Sequence, residues 1–177
     1  MCVLFNSQAV RTAIFKIIFV FITVMATFNA HAEEQTLTEF ISNFDYDARI
    51  ENKADTGELV DLLLEGKAQL IDIRFKEEYE AWHMAVAKNI PLNELPNRLN
   101  ELDKDKVIVT ACPHKDRAII AMTYLKTTGF ETMYLKDGLI GLAEFLRGDN
   151  AYDFMQEMPK KRVTIQHSCL RCLKYIL

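Results

Sequence analysis

The chain has 177 residues, half of them apolar and 26% charged, with a formal net charge of −4. That is enough for one domain of ordinary size with a packed core plus extensions, and it excludes a globally disordered chain. The mild acidity argues against a nucleic-acid partner, which selects for a clustered basic face.

Residues 1–32 read as a signal peptide. Arg11 and Lys16 form a basic n-region, IIFVFITVMATF an apolar h-region, and Ala30 and Ala32 an A-x-A cleavage site ahead of Glu33. The apolar run is short for a bilayer span, so a cleaved signal is favoured over an uncleaved anchor. The expected location is exported, in a periplasm, with a membrane as partner only if the segment is retained. Cleavage would leave a formal charge of about −6. Cys2 would leave with the signal, and Cys112, Cys169 and Cys172 would remain. An odd number in an oxidising compartment leaves at least one thiol free or paired outside the chain.

Residues 33–55 read as a polar lead-in with scattered aromatics, residues 56–150 as the domain, and residues 151–177 as a tail. TGELVDLLLEG is a helix with Thr56 as its cap and Gly66 as its stop. AQLIDIR is a short buried strand ending in Asp72 and Arg74. KEEYEAWH is helical, KNIPL briefly extended, and NELPNRLNEL a helix interrupted early by Pro96. DKVIVTA is a strand, RAIIAMTYLKTT a helix closed by Gly129, ETMYL a strand and GLIGLAEFLRG the final helix. Apolar strands alternating with amphipathic helices predict an α/β domain, a mainly parallel central sheet with helices on both faces. Ligands in such sheets bind beyond the carboxyl ends of the strands. Cys112 stands there, after VIVTA.

A thiol attacks as its thiolate, and an ordinary cysteine is mostly protonated near neutral pH. A helix N-terminus lowers a nearby thiol's pKa, and the loop CPHKDR sets His114, Lys115 and Arg117 against one acid, Asp116. Its backbone can curl to point N–H groups at the sulfur and form an anion nest, with Pro113 stiffening the first step. The plain alternative is a small buried core cysteine. Strand, charged loop and helix in sequence argue against it. His114 and Lys115 read equally well as solvated side chains.

Three segments in order resemble the rhodanese family of sulfurtransferases. LIDIRFKEEYEAWHMAVAKNIP is similar to its Asp-x-Arg strand end, acidic-aromatic helix, Gly-His-Ile turn and Asn-Ile-Pro. VIVTACPHKDRA is similar to its active-site strand and six-residue loop, and GFETMYLKDGLIGL to its following strand and Gly-Gly turn. The resemblance implies a rhodanese-like fold and sulfane-sulfur transfer from thiosulfate or a similar small anionic donor, through a persulfide on Cys112, to a thiol or cyanide acceptor. Pro113, His114, Lys115, Asp116 and Arg117 would form the substrate-binding loop, with Asp72, Arg74 and His83 in support, and no cofactor or metal.

The sequence departs from the family pattern at several positions. Trp82 replaces the glycine before His83, Met84 an isoleucine, Asp137 the first glycine of the pair before Gly138, and Leu142 a tryptophan. These changes raise an alternative, a low-turnover persulfide carrier or binding module with the same fold. Asp116 is expected to point outward, because a loop built for an anion tolerates an inward acid poorly. A cysteine phosphatase would need five residues between cysteine and arginine. Here there are four, and Ala118 fills the phosphatase arginine position.

QHSCLRCLKYIL carries Cys169, Cys172 and His167. Three candidate ligands fall short of a closed four-ligand zinc site. The pair reads as incidental or structural, or as a redox disulfide exchanging with a partner or with the Cys112 persulfide.

Overall fold

The computed structural model describes residues 35–158; the predicted signal segment and the Cys169/Cys172 pair lie outside the described residues. The lead-in is more ordered than its composition suggests. It holds α1 (Leu37–Ser42), α2 (Tyr46–Glu51) and strand β1 (Lys53–Ala54), which joins the sheet. Thr36 starts α1 with a capping box, its hydroxyl accepting from the Glu39 N–H and its own N–H donating to the Glu39 carboxylate at 2.7 Å. Asp45 accepts from the Ala48 N–H at 2.8 Å and starts α2. Neither six-residue helix buries a residue, so neither carries an apolar stripe to read.

Helix α3 (Thr56–Leu64) is capped by Asp55, which accepts from the Glu58 N–H at 2.9 Å. This corrects the expectation for Thr56, which is the first helical residue and is tied elsewhere. Gly66, at φ +70°, turns the chain out of the helix as predicted. Strand β2 (Ala68–Asp72), α4 (Lys76–Ala81) and β3 (Lys88–Asn89) follow. The expected NELPNRLNEL helix is two 3-10 turns instead, Leu95–Asn97 and Leu99–Glu101. Pro96 supplies no N–H there, and the buried Leu95 and Leu102 anchor the turns.

Strand β4 (Val107–Ala111) leads through the cysteine loop into α5 (Asp116–Thr127), then β5 (Thr132–Leu135) and α6 (Gly138–Phe145). Helix α6 is not the last. After Gly148 the chain forms α7 (Asp149–Glu157), held to the core by the buried Phe154.

The sheet is fully parallel, in the order β1-β5-β4-β2-β3. One face packs Leu59, Leu63, Leu139, Leu142 and Phe154 from α3, α6 and α7 against Leu70, Val109 and Ala111. The other packs Ala118, Ala121 and Leu125 of α5 against Ile71, Ile108 and Cys112. The two-residue period of β4 assigns these faces: Val109 and Ala111 look one way, Ile108 and Cys112 the other. Cys112 therefore leaves the central strand on the side where α5 begins.

Candidate functional site

The parallel order gathers the carboxyl ends of all five strands on one edge of the sheet. Asp72 closes β2, Cys112 follows β4, and Asp137 and Gly138 follow β5. The loop from Cys112 is short because α5 starts at Asp116, one residue earlier than predicted. The Thr110 hydroxyl donates to the Ala118 carbonyl at 2.8 Å and pins the first turn of α5 against β4.

The backbone N–H groups of Ala118, His114 and Arg117 favour the charged form of the Cys112 sulfur. This is the nest expected of a loop entering a helix. The electrostatic outcome differs from expectation. The thiol is fully buried, and burial pushes its pKa above the ordinary value; the Asp116 carboxylate, accepting from the S–H, pushes the same way, while the three amides oppose. Asp116 Oδ1 lies 3.5 Å from Sγ. The acid thus faces the sulfur, correcting the outward orientation expected from sequence. The contact with the thiol, together with the helix amides, holds the Asp116 carboxyl below its usual range. At neutral pH the site therefore holds a neutral thiol beside a charged carboxylate.

Arg117 does not point at the sulfur donor space as a free cation. Its Nη1 and Nη2 donate to Glu78 Oε2 and Oε1 at 2.7 and 2.9 Å, and its guanidinium lies 6.0 Å from the Phe75 ring centre. Glu78 also accepts from the Phe75 N–H at 3.3 Å, so one carboxylate joins the start of α4 to the end of the cysteine loop. The Arg117 guanidinium holds the Glu78 carboxyl down to about 2. Sequence reasoning missed Glu78: it is one of three glutamates in KEEYE, and only the fold selects it.

The loop is also held from below by α6. The Leu139 N–H donates to the Cys112 carbonyl at 2.8 Å and the Ile140 N–H to the Pro113 carbonyl at 3.3 Å. Gly138 has φ +66°, and a β-carbon there would sit 2.3 Å from the His114 carbonyl oxygen and 2.4 Å from that of Pro113. The glycine is required twice over, by conformation and by contact. Asp137, where the family pattern has glycine, has an ordinary right-handed backbone. Its Oδ2 accepts from both the N–H and the hydroxyl of Thr56 at 3.1 Å, tying the start of α6 to the start of α3. His114 and Lys115 are exposed.

Asp72 and Arg74 form a fully buried pair. Arg74 Nε donates to both Asp72 oxygens at 3.0 Å and Nη2 to Oδ2 at 2.6 Å. Asn89 Nδ2 donates to both their carbonyls at 2.9 Å, locking β3 to the end of β2. Trp82 lies over the pair, its ring centre 4.2 Å from the Arg74 guanidinium, and its carbonyl accepts from Arg74 Nη2 at 2.7 Å. The backbone of Trp82 is extended, so no glycine is needed there. His83 is exposed in the same turn. It stacks on Tyr79 at 4.1 Å, with Nδ1 donating to the Tyr79 carbonyl at 3.0 Å. Leu142 is fully buried in the core. Among the described residues no group of three His, Cys, Asp or Glu is placed to hold a metal ion.

The Rhodanese-like domain family matches residues 55–144. Among curated proteins, the chain is 41% identical over 73 residues to the Uncharacterized protein YqhL of Bacillus subtilis (strain 168), covering 41% of this chain and 58% of that protein. It is 39% identical over 77 residues to the HTH-type transcriptional regulator Rv0324 of Mycobacterium tuberculosis, covering 42% of this chain and 34% of that protein. The chain thus spans less than two thirds of the length of the curated relatives it matches. Among solved structures, the Thiosulfate sulfurtransferase from Pseudomonas aeruginosa is 22% identical with a TM-score of 0.50, over 63% of this chain and 25% of that one, a likeness of fold. The matched segment opens at the cap of α3, closes inside α6 and carries the whole Cys112 loop between them, and the chain belongs to the rhodanese-like domain family.

Proposed function

We propose that this protein is a sulfurtransferase that moves sulfane sulfur through a persulfide on Cys112. The observation that carries this reading is the buried thiol at the carboxyl end of β4, in a four-residue turn ahead of α5 whose backbone N–H groups favour its charged form. In this reading the Cys112 thiolate attacks the outer sulfur of a donor such as thiosulfate, sulfite leaves, and the persulfide then passes its outer sulfur to a thiol or cyanide. The N–H groups stabilise the negative charge on the outer sulfur of the persulfide. Pro113 to Arg117 shape the loop, Asp72 and Arg74 support the strand end beside it, and His83 braces Tyr79 in the neighbouring turn.

The test is intact-mass analysis after incubation with a sulfane-sulfur donor. One added sulfur on Cys112 is expected, with none on a Cys112→Ser variant. Transfer by that variant at the wild-type rate would refute the reading.

A second reading, a persulfide carrier with little turnover, is favoured by the buried, protonated thiol. It predicts a persulfide that loads and then persists in the presence of cyanide. Repeated turnover with thiosulfate and cyanide rules it out.

A further inference from the structure

One contact to the Cys112 sulfur and one ion pair beside the loop bear on the charge a donor meets. The Asp116 carboxylate lies 3.5 Å away on the loop side. Arg117, the cation beside the loop, is bound through both terminal guanidinium nitrogens by Glu78. The amides of Ala118, His114 and Arg117 favour one negative charge at the sulfur. A donor with two negative charges would bring both toward the Asp116 carboxylate, which stands at the solvent-exposed side of the sulfur, beside an arginine already paired with Glu78. Phe75, 53% exposed next to Arg117, adds apolar surface beside the loop rather than charge.

Resting on the sulfur-transfer reading above, we infer that Asp116 is a specificity-determining residue that steers the Cys112 site away from dianionic thiosulfate and toward hydropersulfides of thiols, R–S–SH, whose reacting S–SH group carries at most one negative charge. The step balances without an external oxidant or reductant. Cys112 sulfur bonds to the outer sulfur of R–S–SH as the bond between the donor's two sulfurs breaks. The inner sulfur leaves with the electron pair and takes the proton that Cys112 loses, the proton directed at Asp116 in the resting site. Cys112–SH and R–S–SH become Cys112–S–SH and R–SH.

The experiment compares two donors, thiosulfate and cysteine hydropersulfide, on the full chain and on Asp116→Asn, reading second-order rates of Cys112 loading by mass spectrometry. Dividing the two rates within each protein and comparing the ratios removes the donors' intrinsic reactivity. The persulfide-to-thiosulfate ratio is expected to fall about tenfold in Asp116→Asn, through faster loading from thiosulfate. Asp116→Ser is expected to shift the ratio in the same direction, separating loss of charge from any defect of the asparagine itself. A ratio unchanged in both variants overturns the inference while leaving sulfur transfer intact. Loading of the wild-type chain from neither donor overturns the sulfur-transfer reading and this inference together.

Discussion

Glu78 and Arg117 are 39 residues apart in sequence and close a two-pronged ion pair, 2.7 and 2.9 Å, between the first turn of α4 and the first turn of α5, where the cysteine loop ends. Both side chains are partly exposed, at 37% and 27%, so the pair contributes about 1 kcal/mol or less to stability. Its value lies in fixing where the loop ends. Glu78→Gln is expected to lower the rate of Cys112 loading about tenfold while shifting the denaturation midpoint little, measured by single-turnover mass analysis and urea unfolding.

The same pair sets an acid limit. Glu78 is held down to about 2 from its ordinary 4.5. Because the folded pKa is depressed, the contribution is present above about 4.5 and is lost as the pH falls from there toward 2. The stability difference between wild type and Glu78→Gln is therefore expected to shrink across that window. A difference that grows on acidification would contradict the pairing.

Cys112 should be a slow nucleophile at neutral pH. Burial and the Asp116 carboxylate both raise its pKa, and a raised pKa means less thiolate. Alkylation by iodoacetamide is expected to keep climbing past the ordinary thiol value of 9.0, and Asp116→Asn should move the midpoint down. The midpoint is the quantity to read, since limited access slows the rate at every pH alike.

Gly138 offers the sharpest steric test. A β-carbon 2.3 Å from the His114 carbonyl forces the loop away from α6, on a backbone at φ +66° that side chains rarely adopt. Gly138→Ala is expected to cost about 1–3 kcal/mol and to abolish most persulfide loading. Asp137→Gly, which restores the family's residue, should lose the two bonds to Thr56 and destabilise the domain with less effect on loading.

The buried Asp72–Arg74 pair tests the support of β2. Arg74→Ala leaves a buried carboxylate without its cation and is expected to cost about 3–5 kcal/mol in urea unfolding. Trp82→Gly only uncovers the guanidinium and should cost about 0.5–2 kcal/mol.

We also propose that the chain is exported and its first 32 residues removed. Mature protein from a native-like host is expected to begin at or near Glu33 by intact mass. Full-length chain recovered from the soluble cytoplasm would refute this.

The sequence exposes those features that depend on neighbours in the chain. VIVTA is apolar but for Thr110 because β4 is buried in the middle of the sheet, and its junction with a charged loop marks Cys112 as the end of a central strand. What escapes is of two kinds. Elements too short for a period cannot announce themselves: α1, α2 and the two-residue β1 hide in a polar stretch, and Pro96 reads as an early interruption although it accompanies 3-10 turns. Contacts made across the sheet also leave no local trace. Glu78 reaching Arg117 and Asp137 reaching Thr56 join residues 39 and 81 positions apart. The orientation of Asp116 turned on a single residue. With α5 beginning at Asp116 and not at Arg117, the carboxylate stands on the first turn with the sulfur in reach.

The pairing of β1 with β5 has a kinetic meaning. Lys53 aligns with Tyr134 and Ala54 with Leu135, so the first strand of the sheet has no neighbour until the last one is in place. The β2–β4 ladder, Ala68 beside Val107, can close first over a shorter loop. During synthesis β1 must wait through the emergence of every other strand, and a nascent chain that stalls before Thr132 holds an orphaned first strand beside an open β4 edge. Such late stitching of distant segments makes for slow folding and places the vulnerable interval of this domain at its assembly, before the cysteine loop has α6 to rest on.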